Sequence, residues 1–130
     1  MKQLFAVGVA LLLLATADMA LAQQGGARTI AVAATGKVAS ASVSNQAGRS
    51  PFFLFFDSKG TLMEAVGNPH KDEGNAGIAT LDFLASKGAK VVVAESFGSK
   101  IAEVMKDKGL RPMEFKGTAA DAVKKAMELK

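Results

Sequence analysis

The sequence predicts a three-layer α/β/α domain on one five-stranded mixed sheet, order 3-2-1-4-5, with strand 2 antiparallel to the others. Three observations carry that expectation. Short apolar runs of strand length, Ile30 to Ala34, Phe52 to Phe56 and Val91 to Ala94, are bounded by Gly, Ser and Asn. Ser58-Lys59-Gly60 separates the Phe run from the next apolar run by a tight turn, which makes a hairpin. Two later segments of helical period each stop at Lys-Gly before a strand, the alternation that builds a parallel sheet through right-handed crossovers.

Thr29 to Ala34, with Ile30 and Val32, reads as the central strand and ends at Thr35-Gly36. Lys37 to Pro51 is small and polar, with a brief extended piece around Val43, and an irregular connection of this length in a small domain points to function. Phe52 to Asp57 and Thr61 to Val66 are the hairpin strands, and Asn68-Pro69-His70 breaks regular structure. Ile78, Leu81, Phe83, Leu84 and Ala85 suit a helix closed by Lys87-Gly88, and Val91 to Ala94 is a buried β-branched strand. Ile101, Val104 and Met105 lead to Lys108-Gly109. Met113 to Lys116 is the last strand, and Thr118-x-x-Asp121 caps a final helix carrying Ala122, Val123, Ala126 and Met127. Gly60, Gly88 and Gly109 serve turns and caps, and Met63, Met105, Met113 and Met127 read as core filler on separate elements.

Residues 1–22 read as a secretory signal peptide. Lys2 supplies the charge, Leu4 to Leu14 the short apolar core, and Ala20-Leu21-Ala22 the small-x-small cleavage signal before Gln23. The run is too short for a membrane anchor, which needs about 20 apolar residues. The expected mature domain, 23–130, is therefore periplasmic or secreted, with no membrane anchor after cleavage. It has room for one hydrophobic core, and with no cysteine in the chain, thiolate chemistry and disulfides are excluded. The net charge of +4 comes from interspersed Lys, Arg, Asp and Glu without a basic block, so nucleic acid is not expected as a partner.

Several stretches together resemble the dinitrogenase iron-molybdenum cofactor biosynthesis family. They are the strand and small-residue turn from Ile30 to Gly36, then Gly48-Arg49-Ser50-Pro51-Phe52-Phe53, Asn68-Pro69, Gly74-Asn75-Ala76-Gly77-Ile78, and Val91-Val92-Val93-Ala94 before Phe97-Gly98. The resemblance covers essentially the whole mature chain. It implies a ribonuclease H-like motif fold and a role in carrying or inserting metal-sulfur cofactors, including iron-molybdenum precursors and molybdenum-copper sulfide clusters. Members of that family are generally cytosolic and often carry Cys or several His, whereas this chain has a leader, no Cys and His70 alone.

Topology gives a separate argument for the ligand edge. With strands 1, 3, 4 and 5 parallel, the loop after strand 1 and the starts of all three helices gather at one sheet edge, where helix N-H groups favour an anion. The candidate cofactor-binding residues on those loops are Thr35, Gly36, Lys37, Arg49, His70, Gly74, Gly77, Phe97, Gly98 and Lys100. The glycines would let a bulky ligand approach the backbone. His70 is the one candidate metal ligand, the alternative being a solvated loop residue, and a single imidazole cannot hold a transition metal tightly by itself. Arg49 either touches the ligand or ties down the long loop.

The expected ligand is an anionic sulfide cluster containing molybdenum, iron or copper. The expected partners are that cluster, an acceptor protein and a second copy of the chain. Catalysis is not expected. The first strand, Ile30-Ala31-Val32-Ala33-Ala34, lacks the carboxylate that two-metal nucleases place there, and no P-loop, nucleophile elbow or triad is present. The leading reading is an exported, non-enzymatic binding or carrier domain, and the alternative is an interaction or oligomerisation module of the same fold without cofactor.

Overall fold

A computed structural model of the chain describes residues 28–128; the predicted leader lies outside them. The element order is β1 (Ile30–Ala34), β2 (Phe52–Phe56), β3 (Leu62–Gly67), α1 (Ala76–Ser86), β4 (Val91–Ala94), α2 (Ser99–Asp107), β5 (Arg111–Glu114) and α3 (Ala119–Glu128). The five strands form one sheet ordered β3-β2-β1-β4-β5. β2 runs antiparallel to both neighbours, and β1, β4 and β5 are mutually parallel. The α/β fold and the strand order are those expected from the sequence.

Side-chain alternation along the central strands splits the interior into two cores, because successive residues of a strand face opposite sides of the sheet. Ile30, Val32 and Ala34 of β1, with Leu54 and Phe56 of β2, pack against Ala119, Ala122, Val123 and Ala126 of α3. Ala31 and Ala33, with Phe53 and Phe55, pack on the other face against Leu81 and Leu84 of α1 and Met105 of α2. Every residue of β1 is buried, which is why that run holds only alanine and β-branched residues.

Two details differ from the sequence expectation. The last strand begins at Arg111 rather than Met113, in register from Val91↔Arg111 to Ala94↔Glu114. Pro112 is tolerated because β5 is an edge strand, where a missing N-H leaves no ladder bond unmade on the open side. Met63 is not core filler: it stands 38% exposed on β3, the opposite edge strand. The helix stops and the hairpin turn behave as read, with Gly60, Gly88 and Gly109 at positive φ of 87°, 93° and 76°. Thr118 Oγ1 accepts the Asp121 N-H at 3.2 Å and caps α3.

Candidate functional site

The long connection between β1 and β2 is a strap across the ends of the sheet. Thr35 N-H donates to Ser42 O at 3.0 Å, closing the loop 35–42, and Ala34 and Ser42 form single bridges to Val43 and Thr118. Ala119 and Ala120 at the start of α3 donate to Ala41 O and Ala39 O, both at 2.9 Å. This corrects one expectation: the strap already occupies donors at the start of α3, and Glu73 O accepts the first N-H of α1, from Ala76, at 3.2 Å, so the three helix starts do not offer their donors to the edge alike. Further along, Ser44 N-H donates to Ala33 O and Glu95 N-H to Ser44 O, while Gln46 bridges Ser96, so the strap lies over the ends of β1 and β4.

Those two ends mark the switch point of the sheet: from β1 the chain builds outward to β2 and β3, then crosses back to β4. Crevices at such points are where open α/β domains take ligands. A cavity of about 470 Å³ opens here. Gln46, Ala47, Gly48 and Arg49 of the strap form one wall, Ser96, Phe97 and Gly98 another, and Gly77 of α1 and Ile101 of α2 contribute the rest. Among the described residues, no carboxylate, imidazole or thiol lines it. Its fixed positive charge is Arg49. Gly98, the N-cap of α2, offers no side chain to the helix's opening N-H groups, and the first turn carries no acidic residue. Those N-H groups have no carbonyl partner within their own helix. This donor set suits a coordinatively complete anion and offers a bare transition metal no carboxylate, imidazole or thiolate ligand.

Buried polar side chains set the geometry of the wall. Gly48 O accepts from Asn68 Nδ2 and from Thr80 Oγ1, each at 3.0 Å. Asn68 is 6% exposed and Thr80 fully buried. Asn68 Oδ1 accepts the His70 N-H at 3.0 Å. Ser50, also fully buried, donates from Oγ towards Ala34 O at 3.2 Å and Phe52 O at 2.8 Å. Arg49 Nη1 donates to Lys71 O at 2.7 Å, so this arginine both lines the cavity and fastens the strap to the next loop.

The structure brings Arg49, Gly77, Phe97 and Gly98 together at the cavity. The other candidates stand apart from its lining. Thr35, Gly36 and Lys37 belong to the loop 35–42, with Lys37 Nζ 5.5 Å from the centre of the Phe52 ring. His70 Nδ1 lies 2.7 Å from Glu73 Oε2, and its ring packs edge-on to Phe83 at 6.2 Å. Gly74 and Lys100 are exposed. Close approach to the backbone is open at Gly98, where an added Cβ meets nothing within 4 Å; at Gly77 it would lie 2.5 Å from Ile101 Cδ1. Sequence reasoning placed Ser96 to Lys100 at the ligand edge but missed Gln46, Ala47, Gly48 and Ile101 as cavity residues. The signal available for the first three was the length of the polar connection, which pointed to the segment and not to its members.

Fold and cavity define an open α/β domain with a ligand-sized, cation-flanked crevice at its switch point. The chain belongs to the dinitrogenase iron-molybdenum cofactor family, whose model matches residues 28–129. Among solved structures it is similar to the apo form of the orange protein from Desulfovibrio gigas, with TM-score 0.71 and 26% identity, covering 78% of this chain and 88% of that one. It is also similar to a putative NifB protein from Thermotoga assigned to the DUF35 family, with TM-score 0.65 and 28% identity, covering 76% of this chain and 86% of that one. No curated protein matches the chain.

Proposed function

We propose that this protein is an exported, non-enzymatic binding or carrier domain for an anionic metal-sulfide cluster of the molybdenum, iron or copper type, held as cargo at the switch-point cavity. The observation that carries the reading is the lining itself: main chain at Gly48, Gly77 and Gly98, one guanidinium, and no side chain able to ligate a bare metal strongly. Membership of a family named for an iron-molybdenum cofactor supports the same ligand class. Such a cluster would arrive with its own sulfide ligands complete and be held by charge-assisted hydrogen bonds and backbone N-H groups. Arg49 supplies the charge, Phe97 and Ile101 the apolar wall. An acceptor protein would receive the cluster, since a carrier must give up its cargo.

The test is a titration of wild type, Arg49→Ala, His70→Ala and Lys125→Ala with a copper-bridged thiomolybdate and with free copper. A charge-assisted contact is worth about 1.5 to 3 kcal/mol, so Arg49→Ala should weaken cluster binding roughly tenfold to a hundredfold. Raising the salt should weaken wild type more than Arg49→Ala. His70→Ala, with its ring turned to Glu73, should fall well short of the Arg49 effect, and Lys125→Ala should match wild type. Equal cluster affinity in all four proteins, or tighter binding of free copper than of the cluster, would sink the proposal.

A further inference from the structure

Gly77 sits in a slot. On one side an added Cβ at Gly48 would lie 2.9 Å from Gly77 Cα and 3.2 Å from Gly77 N, so the strap's main chain is packed directly on the first turn of α1. On the other, the Ile101 side chain of α2 fills the space a residue-77 side chain would take, with Cδ1 2.5 Å and Cγ1 3.5 Å from the Cβ position. Gly77 and Ile101 line the same cavity. Ile101 also packs against the buried cluster that includes Met105 and Leu81. Interiors are close-packed, so an Ile101 side chain pushed from Gly77 has no room on the core side. The cavity, which Ile101 lines, is free volume open to it.

We propose that Ile101, seated in the notch left by Gly77, sets the size of anion the cavity admits. The inference rests on the reading of this cavity as the anion site and adds to it a specificity-determining pair. A methyl group at residue 77 would drive the end of Ile101 into the cavity, while shortening Ile101 would extend the cavity into the notch. The two changes therefore act in opposite directions on large ligands and leave small ones nearly alone. Ile101 makes no charge-bearing contact, so it discriminates by shape only.

The experiment uses the mature chain and three probes of rising size: molybdate, tetrathiomolybdate and a copper-bridged thiomolybdate. Each is titrated calorimetrically into wild type, Gly77→Ala, Ile101→Ala, Ile101→Phe and the double variant Gly77→Ala/Ile101→Ala. One methylene in a fitted pocket changes discrimination by about 10-fold to 200-fold. Gly77→Ala and Ile101→Phe should therefore weaken the copper-bridged probe at least about tenfold while molybdate stays within about twofold. Ile101→Ala should retain or strengthen the large probe, and the double variant should recover it, because the isoleucine atoms that the added methyl group would displace are gone. Recovery alone would also follow from relief of a packing clash; the dependence on probe size is what a purely structural role would not produce. Should Gly77→Ala not fold, as judged by its thermal transition, the Ile101→Phe and Ile101→Ala pair decides the matter. Equal factors for all three probes, or no recovery in a folded double variant, overturns the size gauge while wild-type binding leaves the anion site standing. If wild type binds none of the probes, the site reading fails and the gauge with it.

Discussion

Gly48→Ala is the most informative single change, because it strikes the contact that joins the strap to α1. Its Cβ would sit 2.9 Å from Gly77 Cα and 3.2 Å from Gly77 N, both main-chain atoms. Carbon atoms pack best at about 3.5 to 4.0 Å, so the strap must lift by roughly 0.6 Å or more. It is not free to lift: Gly48 O is held by Asn68 Nδ2 and Thr80 Oγ1 at 3.0 Å each. Overpacking of this kind costs about 1 to 3 kcal/mol. Stretching two hydrogen bonds, each worth about 0.5 to 1.5 kcal/mol, brings the expected loss to about 2 to 6 kcal/mol. For a domain of this size 1 kcal/mol moves Tm by about 4 to 8 °C, so the transition should fall by at least about 8 °C. The assay is thermal unfolding by circular dichroism, with Gly74→Ala as control, since a Cβ there meets nothing within 4 Å. Adding Thr80→Val should make the combined loss smaller than the sum, because releasing one pin lets the strap move. A Gly48→Ala protein melting with the Gly74→Ala control would refute the argument.

Two other outcomes are expected. Burial pushes the Glu64 carboxyl up, but hydrogen bonds and charge from Lys87 and Arg28 together hold it below its ordinary 4.5. A depressed carboxylate stabilises the fold above its unfolded pKa and loses that contribution as pH falls through the folded value. Urea denaturation of wild type and Glu64→Gln should therefore differ most near neutral pH and converge in acid as the pH falls below 4.5 through the folded value; a gap that widens in acid would contradict the linkage. Export predicts that mass spectrometry of the native protein finds Gln23, or its cyclised form, at the N-terminus, and an intact Met1 in a cytosolic fraction would contradict it.

The sheet was legible because its signals are local. Buried strands need β-branched and aromatic runs, and the hairpin and the ends of α1 and α2 need glycine at positive φ, so Ile30–Ala34, Phe52–Phe56, Gly60, Gly88 and Gly109 carry their structural roles in their identities. β5 was displaced because Arg111-Pro112 has turn-like composition and only the register against β4 makes it a strand. The cavity was less legible for a related reason. Its walls are main chain, and the groups that place them act at a distance: Asn68 reaches back 20 residues and Thr80 32 residues to one carbonyl. Asn68 carries a breaker's signature in sequence, yet it is buried and bonded at both ends of its amide. His70 drew notice as the lone imidazole, whereas its place in the fold is beside Glu73 and Phe83.

The doubly held carbonyl of Gly48 also bears on kinetics. Three segments distant in sequence meet at that oxygen, so the crevice has its shape before anything enters it. A ligand that finds a finished crevice loses little affinity to ordering the protein, and its capture is governed by encounter rather than by loop closure. Ionic strength should then act chiefly on the association rate, through the field of Arg49 and the α2 terminus. Departure should depend on how many hydrogen bonds break at once. If the proposed cluster is the ligand, an acceptor protein would hasten its departure by competing for it at the open rim beside Gly98, with no need to unfold the strap.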